Sequence, residues 1–448
     1  MQGFAKWTWA LAAMIAGQTL ASPISVLPGP TKVTPGGVQD IIITSKNTLN
    51  STSNGSSGIT HGTEASSGAL TVNVVNNLAG TTSGQVNAYV IGKVDNEVAI
   101  LQADGSWYYP PGTTSGVPIT ITEDVSIPIG AEGTTTTLTI PSYLSSGRVY
   151  VADGTITWYY VDDGSGGPGL VEPSSNNPSD PNADVNWGFF EFTNTEEGGL
   201  YANLSYVDFV GLVMGLSLTT TDGGVQTTLG LASDAVKTIC EALVSQTATD
   251  GYPWASLCQT GTDGNYIRVA APYDYISTDA TAFEGYFDDY VSEVWSTYST
   301  DPLIINTQAV GNSSCTTSGT TTMTCTGSSV TFAQPSAGDI FGCATGPFLV
   351  DGNNYDAAIV PRLCAAINRA TLLLSGGDYQ PSLPVADYYT VSPCNYYSKF
   401  VHENELDGQG YAFGYDDVTP DGGQNVSGEL VSTIPESLTI TVGGPTTA

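Results

Sequence analysis

Alternating apolar and polar residues in the first half of the chain predict a series of short β-strands. Residues 70–76 alternate with a period of two, as expected for a strand with one buried face. Comparable runs, separated by turn-forming residues, lie at 86–94, 98–102, 117–121, 135–140, 148–151 and 155–161. Short strands at this spacing are typical of a β-sandwich or barrel. Residues 164–184, rich in Pro, Ser, Asn and Gly, are expected to form a long loop.

The apolar spacing changes after residue 218. The 3.6-residue period of a helix appears at residues 232–248, 281–298 and 356–374. Either Pro361 lies in the first turn of the last helix, where a missing N–H is tolerated, or the start of that helix is irregular. Strand-like runs at 267–270 and 303–306 alternate with these helices, and strand-like runs return at 388–401, 411–415 and 437–442.

These elements predict a mainly β fold with an α/β insertion. We expect a first part of the β-domain at residues 69–225, an α/β domain at 226–390, and a return to the β-domain at 391–448.

Two segments at the N-terminus are expected to lie outside this fold. Lys6 precedes an apolar run at 7–16 and small residues at 19–21, so residues 1–21 predict a secretory signal peptide and an extracellular protein. Residues 22–68 are rich in Pro and then in Ser, Gly, Thr and Asn, which predicts a mobile, low-complexity leader with little core. The remaining apolar runs are too short for a transmembrane helix.

The charge of the chain restricts its partners. It has 10 Lys and Arg against 43 Asp and Glu, a net charge of −33. Such a surface repels phosphate backbones and anionic membranes, so we expect neither nucleic-acid nor membrane binding. A neutral polar ligand such as a carbohydrate is compatible with it. We expect a monomer without a cofactor.

Seven cysteines fit an oxidising compartment. Cys240 could pair with Cys258, and Cys315 with Cys325. One thiol would then remain free among the other three, Cys343, Cys364 and Cys394, and the sequence leaves open which one. Glycosylation sequons occur at Asn50, Asn54, Asn203, Asn312 and Asn425. We expect Asn203 to stay unmodified, because a glycan there would block the site described next.

Residues 187–218 predict a β-hairpin that carries the candidate chemistry. Strands at 189–193 and 200–209 flank a polar loop at 194–199, and each strand carries one acid among apolar neighbours, Glu191 and Asp208. An isolated carboxylate in such surroundings can hold a proton near neutrality. A carboxylic acid and a carboxylate together can protonate a leaving oxygen and activate water, as glycoside hydrolysis requires. The alternative is chance, because a chain this acidic places carboxylates on many strands.

The alternation within the second strand conflicts with this hypothesis. Tyr201, Asn203 and Ser205 share one face of a regular strand, whereas Asp208 falls on the other. Either a β-bulge near residues 205–207 reverses the alternation or Asp208 lies beyond the regular strand. We predict the bulge, since bulges occur beside active sites.

Other candidate residues have simpler interpretations. His402 is expected to be structural or to line a groove, since the chain has only one other histidine, His61. Asp416 and Asp417 lack the ligand spacing of a calcium site. Asp288 and Asp289 are expected on the solvated face of a helix. The default expectation for three tryptophans is the core, the alternative being a sugar platform: Trp107, Trp158 and Trp254.

Five stretches of the chain, from about Leu70 to the C-terminus, resemble glycoside hydrolase family 64, the secreted endo-β-1,3-glucanases. They are FFEFTN with GLYANLSYVDF, FEGYFDDYVSEVW, GDIFGC, VPRLCAAINRATLL, and YYSKFVHENELDGQGYAFGYDDV. The last contains YAFGYDD, which is similar to a signature of thaumatin-like proteins.

The resemblance implies an inverting hydrolase that binds β-1,3-glucan in a wide groove between a thaumatin-like β-domain and a mixed α/β domain. The family's Glu-Phe-Thr motif falls on Glu191, the implied general acid, and its Val-Asp motif falls on Asp208, the implied general base. The implied substrate contacts are Thr193, Tyr201 and Ser205. Tyr201 departs from the Trp of bacterial members, and the hairpin loop is slightly longer than expected. The alternative function is a thaumatin-like β-glucan-binding protein without hydrolysis.

Overall fold

The computed structural model describes residues 27–50, 68–318, 321–350, 352–423 and 426–445. The expected signal peptide, His61 and the sequons at Asn54 and Asn425 lie outside these ranges. In the first half of the chain the strands are β1 Thr31–Lys32, β2 Thr48–Asn50, β3 Leu70–Asn76, β4 Val86–Val94, β5 Glu97–Leu101, β6 Trp107–Tyr108, β7 Ile119–Thr120, β8 Ile127–Pro128, β9 Thr135–Ile140, β10 Leu144–Asp153, β11 Tyr159–Asp162, β12 Pro168–Val171, β13 Asn186–Thr195, β14 Gly199–Asn203, β15 Phe209–Val210, β16 Met214–Thr220 and β17 Val225–Thr228.

Helices and strands mix in the second half. The helices are α1 Ala235–Asp250, α2 Pro272–Thr278, α3 Asp288–Thr297, α4 Ala337–Gly342, α5 Asp356–Asn368 and α6 Tyr396–Glu403. The strands are β18 Cys258–Thr260, β19 Tyr266–Ala270, β20 Leu303–Asn306, β21 Asn312–Ser318, β22 Thr322–Cys325, β23 Thr331–Ala333, β24 Tyr379–Gln380, β25 Leu430–Ser432 and β26 Pro435–Val442. No helix in the described ranges is both long and apolar enough to cross a membrane.

Two sheets enclose the core of the β part. One has the order β25-β14-β13-β10-β4-β5-β6, with β8 paired to β4, and the other has the order β17-β16-β26-β3-β9. Side chains from both sheets, such as Val72, Val149, Phe190 and Ile440, belong to one buried apolar cluster. Burial of this area supplies the main stabilisation, about 25 cal/mol for each Å² of apolar surface. The fold is therefore mainly β, as predicted, and the C-terminal strand β26 completes the second sheet between β16 and β3.

The larger sheet is covered only in part on its other face. A small sheet, β2-β12-β11-β7, lies beside a second apolar cluster that includes Tyr89, Tyr150 and Trp158. Almost every residue of β4 is therefore buried. In contrast, β14 alternates between buried and accessible residues, so among the described residues its outer face remains open in part. The candidate site lies on that open face.

The N-terminal leader differs from the prediction within the described residues. Residues 27–50 are built into the fold: β1 pairs with β18, β2 pairs with β12, and Val33 is fully buried. Little of this part is core, as expected, since Val33 is the one buried residue among residues 27–50. Its composition did not predict the strand pairing, because the pairing is with distant residues.

Two strand-like runs of the C-terminal region also fold otherwise. Much of the run at 388–401 lies in helix α6, because the Asn395 side chain accepts a hydrogen bond from the Ser398 N–H and caps the helix. The run at 411–415 contains a turn rather than a strand.

Pro361 lies in the second turn of α5 rather than the first, since the buried Asp356 fixes the helix start. The long loop predicted at 164–184 contains the strand β12.

Three disulfides form in the structure. Cys240–Cys258 and Cys315–Cys325 confirm the two pairs considered from the sequence, and Cys343–Cys364 is the third. Cys394 is the free cysteine and is buried.

Candidate active site

The hairpin β13–β14 carries the first part of the site. In β13, Phe190 and Phe192 point into the core while Glu191 and Thr193 remain half-accessible on the other face. The connecting loop is shorter than predicted, since β13 continues to Thr195 and β14 begins at Gly199. Gly199 has φ +69° and lies so close to Ser432 that a Cβ would collide with its carbonyl oxygen, so the turn requires glycine.

Strand register sets the neighbours of Glu191. Glu191 lies opposite Asn203 on β14 and opposite Arg148 on β10, and Thr193 lies opposite Tyr201. Residues that face each other across strands have Cβ atoms about 5 Å apart, so these side chains share one surface. Tyr201 is 38% exposed, which leaves its ring available to a ligand.

Asp208 reaches this surface by a route other than the predicted bulge. Strand β14 ends at Asn203, and Ser205 then forms a single bridge with Tyr411. The chain next enters β15, which pairs with β19 in a different sheet, and the Asp208 carbonyl accepts a hydrogen bond from the Ala271 N–H. The prediction of a bulge is wrong, because the chain leaves the first sheet before Asp208. The alternation rule therefore does not apply to this residue.

Glu191 and Asp208 nevertheless line one cavity of about 310 Å³. The other residues of its wall are Tyr201, Asn203, Ser205, Val207 and Tyr411. A second cavity of about 410 Å³ shares Glu191, Tyr201 and Asn203 with the first and continues past Thr193 and Arg148. We call these two connected cavities the trough. All five site residues predicted from the sequence border the trough.

Glu191 is not the isolated carboxylate that the sequence suggested. Arg148 donates to its Oε1 twice, from Nε at 3.1 Å and from Nη2 at 2.8 Å. The same guanidinium donates from Nη1 to Oε2 of the buried Glu172 at 2.6 Å, and the Tyr150 hydroxyl donates to that oxygen as well. Burial alone would lower the pKa of Arg148, but the two carboxylates outweigh it and hold the pKa above its usual value.

Asp208 is also paired with a cation. Lys46 Nζ lies 3.2 Å from Asp208 Oδ1 and 2.6 Å from Asp274 Oδ1. Asp274 lies in the first turn of α2 and is 5% exposed. Burial raises the pKa of Asp274, and the neighbouring Asp208 raises it further, whereas Lys46 opposes both effects. Each candidate acid thus has its own positive partner.

The remaining sequence candidates lie elsewhere. His402 lines a separate cavity of about 200 Å³ and is held between Glu405 and Asp416, which fits a structural role. Asp288 and Asp289 are exposed on α3, and Trp158 and Trp254 are buried in the core. In the part of the chain that the structure describes, no group of three or more His, Cys, Asp or Glu side chains could hold a metal ion.

Four residues at the site escaped the sequence reasoning: Lys46, Arg148, Glu172 and Asp274. Arg148 contacts Glu191 across 43 positions and Lys46 contacts Asp208 across 162, and no local pattern reports such contacts. One feature of the sequence, the scarcity of Lys and Arg, could have pointed to Lys46 and Arg148. A chain with only 10 cations offers few partners for its carboxylates, so a lysine in the leader and an arginine on a central strand stand out.

A trough with two carboxylates and an accessible aromatic ring is an arrangement that carbohydrate-cleaving enzymes use. The chain belongs to glycoside hydrolase family 64: the sequence model of this family, described as β-1,3-glucanase, matches residues 68–442. Lys46 lies before this match, whereas Arg148, Glu172 and Asp274 lie within it.

Individual relatives agree with the family. A glucan endo-1,3-β-glucosidase of Cellulosimicrobium cellulans is 29% identical over 346 residues, which is 75% of this chain. A protein of the same name from Arthrobacter sp. (strain YCWD3) is 28% identical over the same length. The match covers 59% of each relative, so the chain spans less than two thirds of these proteins.

A solved structure shares the fold. The crystal structure of a laminaripentaose-producing β-1,3-glucanase in complex with laminaritetraose superposes with a TM-score of 0.72 at 27% identity. The similarity covers 84% of this chain and 98% of that one. The likeness includes both the β part and the mixed second half of the chain.

Proposed function

We propose that this protein is a secreted endo-β-1,3-glucanase that cleaves internal β-1,3-glucosidic bonds with inversion at the anomeric carbon. The observation that carries the proposal is the trough, because Glu191 and Asp208 both border it together with Thr193, Tyr201 and Ser205. Membership of family 64 supports the substrate class. The relative solved with laminaritetraose binds a sugar of this kind.

Glu191 acts as general acid in this proposal. As general acid it delivers a proton to the glycosidic oxygen as the bond to the anomeric carbon breaks. Both hydrogen bonds from Arg148 go to Oε1, which leaves Oε2 as the oxygen that carries the proton. The guanidinium thus orients the carboxyl group towards the trough.

Asp208 acts as general base. Lys46 contacts Oδ1, which leaves Oδ2 to accept a proton from the attacking water. The water adds to the anomeric carbon on the face opposite the leaving oxygen, which inverts the configuration. Inversion requires the two carboxyl groups to lie about 6.5–9.5 Å apart so that the water fits between them, whereas about 5 Å would give retention.

The other trough residues bind the sugar. The exposed face of Tyr201 can stack on the apolar face of a pyranose ring. The hydroxyl groups of Thr193 and Ser205 can exchange hydrogen bonds with sugar hydroxyls. The substrate is neutral, so a protein with a net charge of −33 does not repel it.

Two isosteric substitutions test the assignment. Glu191→Gln and Asp208→Asn should each lower the rate of reducing-end release from laminarin by about 10³-fold or more, with unchanged thermal unfolding, because each removes one proton-transfer group. Glu197→Gln, in the exposed hairpin loop, is the matched control and should retain activity. Full activity in either site variant would exclude that residue from the chemistry.

The anomer of the product tests the mechanism separately. Proton NMR of the first turnovers should show the α-anomer if the reaction inverts, whereas a β-anomer would refute inversion. Laminarin binding without any product in the wild-type protein would instead indicate a glucan-binding protein. Cell fractionation should find the protein in the culture medium. Gel filtration should show that it is a monomer.

A further inference from the structure

The N-terminal segment 42–50 reaches the trough although it precedes the family match. We propose that this segment forms one wall of the active-site trough and that Lys46 is a positioning residue, which holds the Asp208 carboxylate in its working orientation. The proposal rests on the proposed function of Asp208 as general base. We refer to residues 42–50 as the wall segment.

The wall segment is fixed along its length. Strand β2 pairs with β12 in antiparallel register, with Leu49 opposite Leu170, and the Glu172 N–H donates to the Asn47 carbonyl at 2.9 Å. Upstream, β1 pairs with β18, and the Asn177 side chain donates to the Asp40 carbonyl. These contacts join the wall segment and the residues before it to the rest of the fold.

The turn before β2 presents Lys46 in one conformation. The Asn47 side chain accepts a hydrogen bond from the Thr44 N–H at 2.7 Å and donates to the Ile42 carbonyl at 2.9 Å. Such side-chain bonds to the backbone are typical of tight turns and restrict the residues between their ends. Lys46 lies inside this turn and extends from it towards the two acids.

The ammonium group of Lys46 contacts two carboxylates, those of Asp208 and Asp274, which belong to different parts of the fold. Asp274 is nearly buried and held by the Ser175 hydroxyl at 2.8 Å, so its position is set by the fold. Asp208 is about one third exposed and has freedom to turn. Without Lys46, repulsion from the fixed Asp274 would turn Asp208 away. The ammonium lies 4.4 Å from the centre of the Tyr273 ring, which adds a cation–π contact that fixes its place.

The wall segment also borders the space that a sugar would fill. Ser45, Lys46, Thr48 and Leu49 line the cavity that contains Glu191. Ile42, Thr44 and Asn47 line an adjoining cavity of about 400 Å³ that contains Asp208. Lys46 lies at the junction of the two cavities. The wall segment therefore borders the cavity that contains Glu191 as well as the cavity that contains Asp208.

Kinetics of three variants test the role of Lys46. Lys46→Met should lower kcat on laminarin by about 10- to 100-fold with little change in KM, since a catalytic group displaced by about 1 Å costs up to about 10²-fold. Lys46→Arg should recover most of the rate. In Lys46→Met/Asp274→Asn the repulsion is gone as well, so kcat should exceed that of Lys46→Met alone. Lys237→Met, at an exposed lysine of α1, is the matched control and should behave as wild type.

Unchanged kcat in Lys46→Met would overturn the proposal, and so would a rise, which would mean that the segment obstructs the trough. Crystal structures of wild type and Lys46→Met provide a readout that does not depend on hydrolysis. Asp208 should be rotated away from Asp274 in the variant, and an unmoved side chain would overturn the positioning role. An inactive wild type with a rotated Asp208 in the variant would refute the glucanase proposal while leaving the role of Lys46 intact.

Discussion

Replacing His402 should change how the stability of the protein depends on pH. His402 lies on α6 with Nδ1 3.0 Å from both oxygens of Glu405 and Nε2 3.0 Å from Asp416 Oδ2. Asp416 is itself buried and held by Arg369 at 2.9 Å. Burial alone would lower the pKa of His402, but the two carboxylates outweigh it and raise the pKa to about 10.

The sign and size of the effect follow from linkage. The folded protein keeps a proton on His402 that the unfolded chain releases above its ordinary pKa of about 6.5. The stabilisation is therefore complete below pH 6.5 and is lost as the pH rises towards 10. In that window stability falls by about 1.4 kcal/mol per pH unit, or about 2 kcal/mol between pH 7 and 8.5.

Urea unfolding with the disulfides intact, measured at steps between pH 7 and 8.5, gives the slope. His402→Gln should remove the contribution of about 1.4 kcal/mol per pH unit to the slope. It should also lower stability at pH 7 by about 3–5 kcal/mol, because the buried Glu405 loses its cation and Asp416 keeps only Arg369. Lys237→Gln, which removes an exposed charge on α1, should keep the wild-type slope. Equal slopes in His402→Gln and wild type would show that the folded protein does not hold this proton.

Three further substitutions or treatments probe the site and the core. Arg148→Met should lower both kcat and the unfolding free energy, the latter by about 3–5 kcal/mol, because Glu172 stays buried without its cation. Laminarin kinetics and urea unfolding measure the two effects, and unchanged stability would contradict the prediction. Tyr201→Ala should raise KM by roughly fivefold while Tyr201→Phe should not, because about 1 kcal/mol of ring contact is lost only in the former. Equal KM values in the two variants would exclude stacking. Burial raises the pKa of the Cys394 thiol to about 12. Ellman's reagent at pH 8 should therefore label no thiol in the native protein and one thiol in denaturant. Rapid labelling of the native protein would contradict the buried position.

Much of the site could be predicted because it lies on a local pattern. The alternation around Glu191 identified β13, whereas Tyr201 was implied as a sugar contact by the resemblance to family 64, and the strand register places it opposite Thr193. The alternation failed at Asp208, where the chain passes from one sheet to another, because periodicity describes a single continuous strand. Aromatic residues at 396–400 favoured a strand, but the cap at Asn395 and burial of Tyr397 and Val401 on one face selected a helix.

The partners of the two acids could not be predicted in the same way, because long-range packing brings them together. Arg148 reaches Glu191 from the neighbouring strand β10, whereas Lys46 reaches Asp208 from a segment 162 residues away. The composition of the leader predicted little structure there. Pairing of β2 with β12 overrides that local tendency.

The cationic partners of Glu191 and Asp208 lie in different parts of the sequence. Arg148, Glu172 and Glu191 all lie within residues 68–442, which match family 64. Lys46 lies before the matched residues, so the proposed base takes its cation from outside them. It follows that transferring residues 68–442 alone would keep the ion pair of Glu191 with Arg148 but would remove the ammonium between Asp208 and Asp274, together with the wall that Ser45, Thr48 and Leu49 form beside Glu191. A protein truncated in this way should keep its affinity for laminari-oligosaccharides better than its turnover, and the reverse result would place the main role of the segment in binding.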